Sequence, residues 1–313
     1  MRWNDRIGRR IKLSDLHVLL AVAQYGSMAK AASQLAVSLP VVSRAISDLE
    51  HTLGARLVER KPRGVELTSH GRAMLSRSYT VFDELRQGVS DIESLSDPSV
   101  GEVRIGTTPP LAASFVSAVI ERLNRRYPRI VFQVTTDMAQ AQKQNLHERK
   151  VDLLIYRQID LFKGEEMTFQ FLFKSPYVVA AGVESPWAKR RRINLIDLLG
   201  EQWALPPPDD SFGPFVVSAF RAGGFDFPRA AVVASTIELC ASLLRTGRYL
   251  TIVPEFWLQF PERHQFIRKL AVDLPITGAP IGIISLRNRV PSPVVQRFID
   301  CAREVAQPRN RDK

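Results

Sequence analysis

The chain has 313 residues, too many for one ordinary core and enough for about two or three domains. A hydrophobic fraction of 45% and a charged fraction of 24% exclude a mostly disordered or fibrous protein, and no apolar run approaches the roughly 20 residues of a membrane-spanning helix. With 43 Lys and Arg against 32 Asp and Glu the net charge is +11, which suggests a polyanionic partner without locating it. By segment, residues 1–75 carry +6, residues 76–97 carry −3 and residues 98–313 carry +8. The amino terminus has no apolar stretch behind its charges, so no secretory signal is expected and the chain reads as cytoplasmic. The 2 cysteines exclude a disulfide scaffold and a four-cysteine zinc site.

The first predicted helix carries Leu13, Leu16, Leu19, Leu20 and Ala23 at helical spacing and ends at Gly26. Ser27 is placed to cap a second helix, whose Ala31, Ala32 and Leu35 form a small apolar face that lets a neighbour pack closely. After a short break, Ser38 can cap a third helix with Pro40 in its first turn. Val42, Ile46, Leu49 and Leu53 line its inner face, and Gly54 stops it. Helix, tight turn and helix form the helix-turn-helix pattern. With the apolar face inward, Leu39, Pro40, Ser43, Arg44 and Ser47 point outward near the start of the third helix, where serine and arginine can reach base edges and phosphates. Leu57-Val58 and Val65–Leu67 then read as two short strands around a basic turn, Lys61-Pro62-Arg63-Gly64, which forms a wing. Apart from DNA binding, such a unit could be a helical packing domain with a solvated basic loop. The ordered succession of helices and basic hairpin favours double-stranded DNA.

The runs 31–38 (AASQLAVS), 42–50 (VSRAISDLE), 57–60 (LVER) and 63–71 (RGVELTSHG) resemble the winged helix-turn-helix of LysR-type transcriptional regulators, over about residues 13–72. The two-part organisation that follows extends the resemblance over nearly the whole chain. It implies that Pro40, Ser43, Arg44 and Arg63 contact operator DNA. Where the family usually has a polar residue, often glutamine, after the capping serine, this chain has Leu39. Leucine cannot hydrogen-bond a base edge but can pack on a thymine methyl.

Residues 69–96 lack proline and read as one long helix. Leu75, Phe82, Leu85, Val89 and Ile92 lie close to a heptad seam, which suits either a dimerisation helix or ordinary core packing. The resemblance supports a homodimer through this helix, a two-fold-related operator and a dimer of dimers.

Asp97-Pro98 is a turn signal, and the chain changes character there. The expected domains are therefore 1–72 (winged helix-turn-helix), 73–97 (linker helix) and 98–313 (effector-binding). Strands are predicted over 101–107, 130–135, 151–156, 169–173, 177–181, 230–235, 249–254 and 281–286. Helices are predicted over 111–127, 139–149, 237–246 and 293–306. The alternation implies parallel sheets with crossover helices, in two α/β lobes. The resemblance implies the fold of a type 2 periplasmic binding protein. Ligands in such folds bind beyond the carboxyl ends of strands, where helix amino termini point. Thr107, Thr108, Tyr156, Arg157, Ser235, Thr236 and the loop 206–212 are the candidate lining of an inter-lobe cleft for a small-molecule effector. Thr107 and Thr108 can equally be helix caps, and for Ser235, Thr236 and the loop a cap or turn is the favoured reading.

Other chemistry finds little support. His17, His51, His70, His147 and His264 stand singly, and no catalytic, cofactor or metal-ligand motif is present. Cys240 and Cys301 read as buried thiols, Asp209-Asp210 as a solvated turn and Lys189–Arg192 as a solvated basic run, although the last could also touch bent DNA or a partner. The expected function is an effector-responsive DNA-binding regulator. The competing readings are a solute-binding protein whose amino-terminal unit serves assembly only, and an enzyme in the second part.

Overall fold

A computed structural model of the chain describes residues 10–62, 64–97, 99–210, 212–258, 265–274, 278 and 280–307. It forms two compact units, Met1–Ile92 with His147–Arg149, and Glu93–Leu146 with Lys150–Lys313. Arg63, His264 and residues 308–313 of the carboxyl-terminal tail lie outside the described residues.

The first unit begins with α1 (Leu13–Tyr25), α2 (Met28–Gln34) and α3 (Leu39–Leu53). In α1 the buried face comprises Leu16, Val18, Leu19, Ala21 and Val22, whereas Leu13 is exposed and Leu20 and Ala23 are half-buried. The expected face is thus rotated, because α1 is apolar around much of its circumference and spacing alone does not select the packed arc. Gly26 ends α1 in the left-handed conformation, and its N–H bonds the Val22 carbonyl. The Ser27 hydroxyl accepts the Lys30 N–H and caps α2. Ser38 occupies the cap position of α3 but makes no side-chain cap bond. Ala31 and Ala32 are buried, and α3 lays Val42, Ala45, Ile46 and Leu49 against them. Strands β1 (Val58–Lys61) and β2 (Gly64–Leu67) pair antiparallel.

Helix α4 (Ser69–Ser96) follows as 28 residues without a break. Its predicted seam divides. Phe82 packs on the core of the first unit, with its ring 5.7 Å from that of His17. Leu85, Val89 and Ile92 are exposed.

The second unit holds two five-stranded sheets. Its strands are β3 (Gly101–Thr107), β4 (Ile130–Thr136), β5 (Leu153–Arg157), β6 (Met167–Lys174), β7 (Tyr177–Gly182), β8 (Gln202–Leu205), β9 (Ala230–Val233), β10 (Tyr249–Pro254), β11 (Ile267–Lys269) and β12 (Pro280–Leu286). Between them run α5 (Ser117–Arg126), α6 (Ala139–His147), α7 (Gly213–Ala222) and α8 (Ile237–Leu244), and α9 (Pro293–Ala306) ends the fold. One lobe has the order β4-β3-β5-β12-β6 and the other β11-β7-β10-β8-β9. The sheets are mixed, not parallel as expected. β12 runs antiparallel to β5 and β6, and β7 antiparallel to β10 and β11. The reason is topological. The chain leaves the first lobe between Lys174 and Tyr177 and returns between Lys269 and Pro280, so each entering strand starts from the side on which its neighbours end. The predicted helix over 111–127 opens as Pro109–Leu111, widens into a π-turn at Ala112–Val116 and only then becomes α5. Helix α7 and strands β8 and β11 were not expected from the sequence.

A buried ion cluster stiffens the first lobe. Asp152, just before β5, accepts the Arg104 backbone N–H (2.7 Å), the Arg104 guanidinium and the Arg289 guanidinium (2.6 Å). The side chains of all three are at most 10% exposed. Removing the carboxylate leaves two buried cations with a lost partner. Asp152→Ala is therefore expected to destabilise the unit by about 3–5 kcal/mol, measured as a lower denaturant midpoint. A loss below about 1 kcal/mol would refute the structural role of this cluster.

Candidate functional site

The first unit exposes one face of α3. Pro40, Arg44 and Ser47 are exposed along a single row, and Ser43 is half-buried beside it. The opposite row, Val42, Ile46 and Leu49, is at most 2% exposed. Packing thus fixes the rotation of the helix and presents that polar row to solvent. The wing stands beside it for reasons written in three residues. The Glu50 carboxylate, in the last turns of α3, accepts the backbone N–H groups of Leu57 (2.7 Å) and Val58 (3.1 Å) and so ties the first wing strand to the recognition helix. Gly64 has φ 139°, and a Cβ there would stand 2.3 Å from the Gly26 carbonyl oxygen, which accepts the Val65 N–H. The wing turn is thereby pinned to the α1–α2 turn. Thr68 donates its hydroxyl to the Arg56 carbonyl and accepts the Gly71 N–H at the start of α4. Glu50 was quoted within the sequence motif, but its role was not legible there. Arg63, expected to contact DNA, falls outside the described residues, between exposed Pro62 and half-buried Gly64 in the chain.

In the second unit the candidate cleft residues take different places. Arg157 ends β5, and its guanidinium donates to the Tyr177 hydroxyl (2.7 Å), at the first residue of β7 in the other lobe. The guanidinium carbon lies 4.6 Å from the ring centre of Phe215 and 5.9 Å from that of Phe212. Tyr177 packs on both rings, at 4.9 Å from Phe212 and 5.6 Å from Phe215. Burial pushes the Tyr177 phenol up, and the Arg157 charge pulls it back. Tyr177 and Phe215 were not anticipated as site residues. Phe212 ends the expected loop.

Tyr156 is a packing residue. Successive residues of a strand face opposite sides of its sheet, and Tyr156 is 1% exposed in a cluster with Leu154, Phe162 and Met167, offering no free surface to a ligand. Thr107 is also fully buried, its hydroxyl donated to the Ile155 carbonyl. It is neither a cap nor a free ligand donor, because the strand end lies inside the sheet. Gln142 donates to the carbonyls of Thr107 and Thr135 and ties the ends of β3 and β4. Thr108 and Thr236 occupy helix cap positions without making cap bonds, and Ser235 and Thr236 are exposed.

Burial raises the thiol pKa of both Cys240 and Cys301, which suits inert packing residues. Among the described residues no group of three or more His, Cys, Asp and Glu could hold a metal ion, and no helix is long and apolar enough to cross a membrane.

A winged helix-turn-helix with an outward polar row, followed by a two-lobed α/β unit with an arginine between its lobes, defines a class of ligand-responsive DNA-binding proteins. The comparisons agree. Residues 13–72 match the model of the bacterial regulatory helix-turn-helix protein, lysR family, and residues 96–307 match the LysR substrate binding domain. The chain belongs to the LysR family of transcriptional regulators, and is a DNA-binding regulator with an effector-binding domain. It is 25% identical over 291 residues to the transcriptional dual regulator GltC of Bacillus subtilis (strain 168), covering 93% of this chain and 96% of GltC. Its fold is similar to that of a full-length OxyR variant from Pseudomonas aeruginosa, with TM-score 0.69 and 20% identity over 96% of this chain and 98% of that one. It is also similar to full-length CbnR complexed with its target DNA, with TM-score 0.55 and 23% identity over 94% and 99% of the two chains.

The Glu50 anchor is testable. Glu50→Ala removes two charge-assisted hydrogen bonds and is expected to lower the stability of the first unit by about 2 kcal/mol. Amide hydrogen exchange at Leu57 and Val58 should accelerate. Unchanged exchange at both would show that the wing holds itself.

Proposed function

We propose that the chain recognises a two-fold-related operator as a homo-oligomer, with Pro40, Ser43, Arg44 and Ser47 of α3 and Arg63 of the wing on the DNA. A small molecule between the lobes of the second unit then sets how the subunits stand on that site. The observation that carries the DNA reading is the division of α3 into a fully buried apolar row and an exposed polar row. CbnR, which shares the fold, has been solved on its target DNA. A solute-binding protein whose amino-terminal unit serves assembly only would leave that exposed row without a role, and the relatives are regulators, not enzymes. DNA binding supports a cytoplasmic location.

Self-association is supported by two separate surfaces. Leu85, Val89 and Ile92 leave an apolar stripe in solvent on α4, as a dimer seam requires. On the outer strand β4 and on α8, whose Val134 and Glu238 line one cavity, Val134 and Leu239 are exposed as well. Two different faces per chain suffice for a dimer of dimers.

The effector site is supported by Arg157, whose guanidinium bridges the lobes and can hold an anionic group, with Thr108, Ser235 and Thr236 offering hydroxyls. Such binding is allosteric only where the ligand prefers one arrangement of the subunits.

Arg44→Ala should weaken operator binding and, where the contact is to phosphate, reduce the slope of log affinity against log salt by about one. Gel shift or footprinting on intergenic DNA at several salt concentrations reads this. Full affinity in Arg44→Ala would overturn the assignment. Val89→Asp with Ile92→Asp should at least halve the mass found by sedimentation, and an unchanged mass would remove α4 from the interface. In a thermal-shift screen of small carboxylates and sugars, Arg157→Ala should lose the shift of any hit while keeping DNA binding. A hit unaffected by Arg157→Ala would place the effector elsewhere.

A further inference from the structure

Three apolar side chains stand in solvent where the recognition helix begins. Val37 is 39% exposed, Leu39 48% and Val41 50%. None belongs to the hydrophobic core of the unit, which Val42, Ala45, Ile46 and Leu49 fill from α3. Folding therefore gives no reason for a leucine at the first residue of α3. Its position does. Side chains on a helix tilt toward the amino terminus, so a residue in the first turn projects past the helix end. The amino-terminal residues of a recognition helix are those that meet base edges. Leu39 lies one residue before Pro40 and four before Ser43, and Arg44 and Ser47 continue the exposed face. It is thus continuous with the DNA-reading row. In the major groove the apolar group that base edges present is the C5-methyl of thymine.

We propose that Leu39 is a specificity-determining residue that packs on a thymine methyl in each half-site. The proposal rests on the reading of α3 as the recognition helix. Leu39 and Arg44 are five residues apart, about 7.5 Å along the helix.

The test starts from duplexes enriched from a random DNA library by the full chain. Each thymine of the best duplex is replaced in turn by deoxyuridine, which removes the methyl and keeps the pairing. In each half-site one replacement should weaken the wild-type protein about three- to fivefold, the effect of removing one buried carbon from the contact. Leu39→Ala should bind the parent duplex as weakly as the wild type binds the replaced one, and lose nothing more on replacement. Leu39→Met should keep most of the discrimination. Leu39→Gln should enrich a different base at that position. Because the side chain is exposed, all three variants should melt with the wild type, which separates a lost contact from a lost fold. The proposal is overturned by a wild type that no single replacement weakens twofold, or by Leu39→Ala keeping the full discrimination. Enrichment of no sequence at all, with equal binding to any duplex, would instead remove the sequence-reading role of α3 on which the proposal rests.

Discussion

The carboxylate of Glu50 ties the first wing strand to α3, the helix whose exposed row we propose reads DNA. A helix-turn-helix fixes the rotation of its recognition helix through packing, but a two-stranded hairpin is marginal on its own. Here two backbone N–H groups of the first wing strand end on one ionised side chain of α3. Hydrogen bonds to an ionised acceptor are roughly twice as strong as neutral ones, so the wing takes its position from the helix that it accompanies. Gly64 and Gly71 complete the constraint from the other side. A Cβ at Gly71 would come 2.0 Å from the Leu57 carbonyl oxygen, and one at Gly64 would strike the Gly26 carbonyl. Helix, wing and the start of α4 are therefore one backbone-to-backbone assembly, and the exposed row of α3 acts as part of it.

The second unit solves a different problem, how two lobes share a site while remaining separate sheets. Strand alternation divides the labour between neighbours on β5. Ile155 and Tyr156 are both buried, in clusters on opposite faces of the sheet, and Arg157 emerges at the strand end, where it reaches Tyr177. Tyr177 is the first residue of β7, so the hydrogen bond lies where the chain has just crossed into the other lobe. We propose that an anion drawn to this guanidinium alters a contact between the lobes without touching either core, the differential interaction that a conformational shift requires.

The sequence made visible what depends on local pattern. Gly26, Ser27 and Gly54 marked their helix ends because capping is decided by adjacent residues, and the 4-3-4 spacing of Val42, Ile46, Leu49 and Leu53 identified the inner side of α3. It hid what depends on distant parts of the chain. The buried arc of α1 is chosen by its neighbours. Mixed sheets follow from strands that return from the other lobe, which a strand–helix alternation does not reveal. Thr107 and Tyr156 stand at strand ends, as expected of a cleft, but whether a strand end is open depends on what covers it. Thr107 is covered and bonded within its sheet, and Tyr156 is enclosed by Phe162 and Met167. The aromatic partners of Arg157 come from residues 20 to 58 positions further on, beyond any local spacing rule.

The distribution of charge follows the same division. In the second unit much of the arginine is held by internal acids. Arg104 and Arg289 meet Asp152, Arg122 meets Glu304, Arg125 meets Glu121 and Arg129 meets Asp97. Asp97 is further held by the hydroxyl and N–H of Ser99, which keep its carboxyl below the usual range. Paired charge contributes little to the field felt by a distant polyanion. The run Lys189–Arg192 stays exposed, with Arg190 stacked 4.4 Å over the Trp187 ring, so it adds a local cationic patch and not a continuous track. In the first unit Arg44 carries its charge on the exposed row of α3 itself, where we propose that electrostatic attraction acts beside the apolar contact of Leu39. Attraction to phosphate is the same for every sequence, whereas a methyl contact and an arginine on a guanine edge are not, so the specificity proposed for this surface rests on what the exposed row offers to base edges.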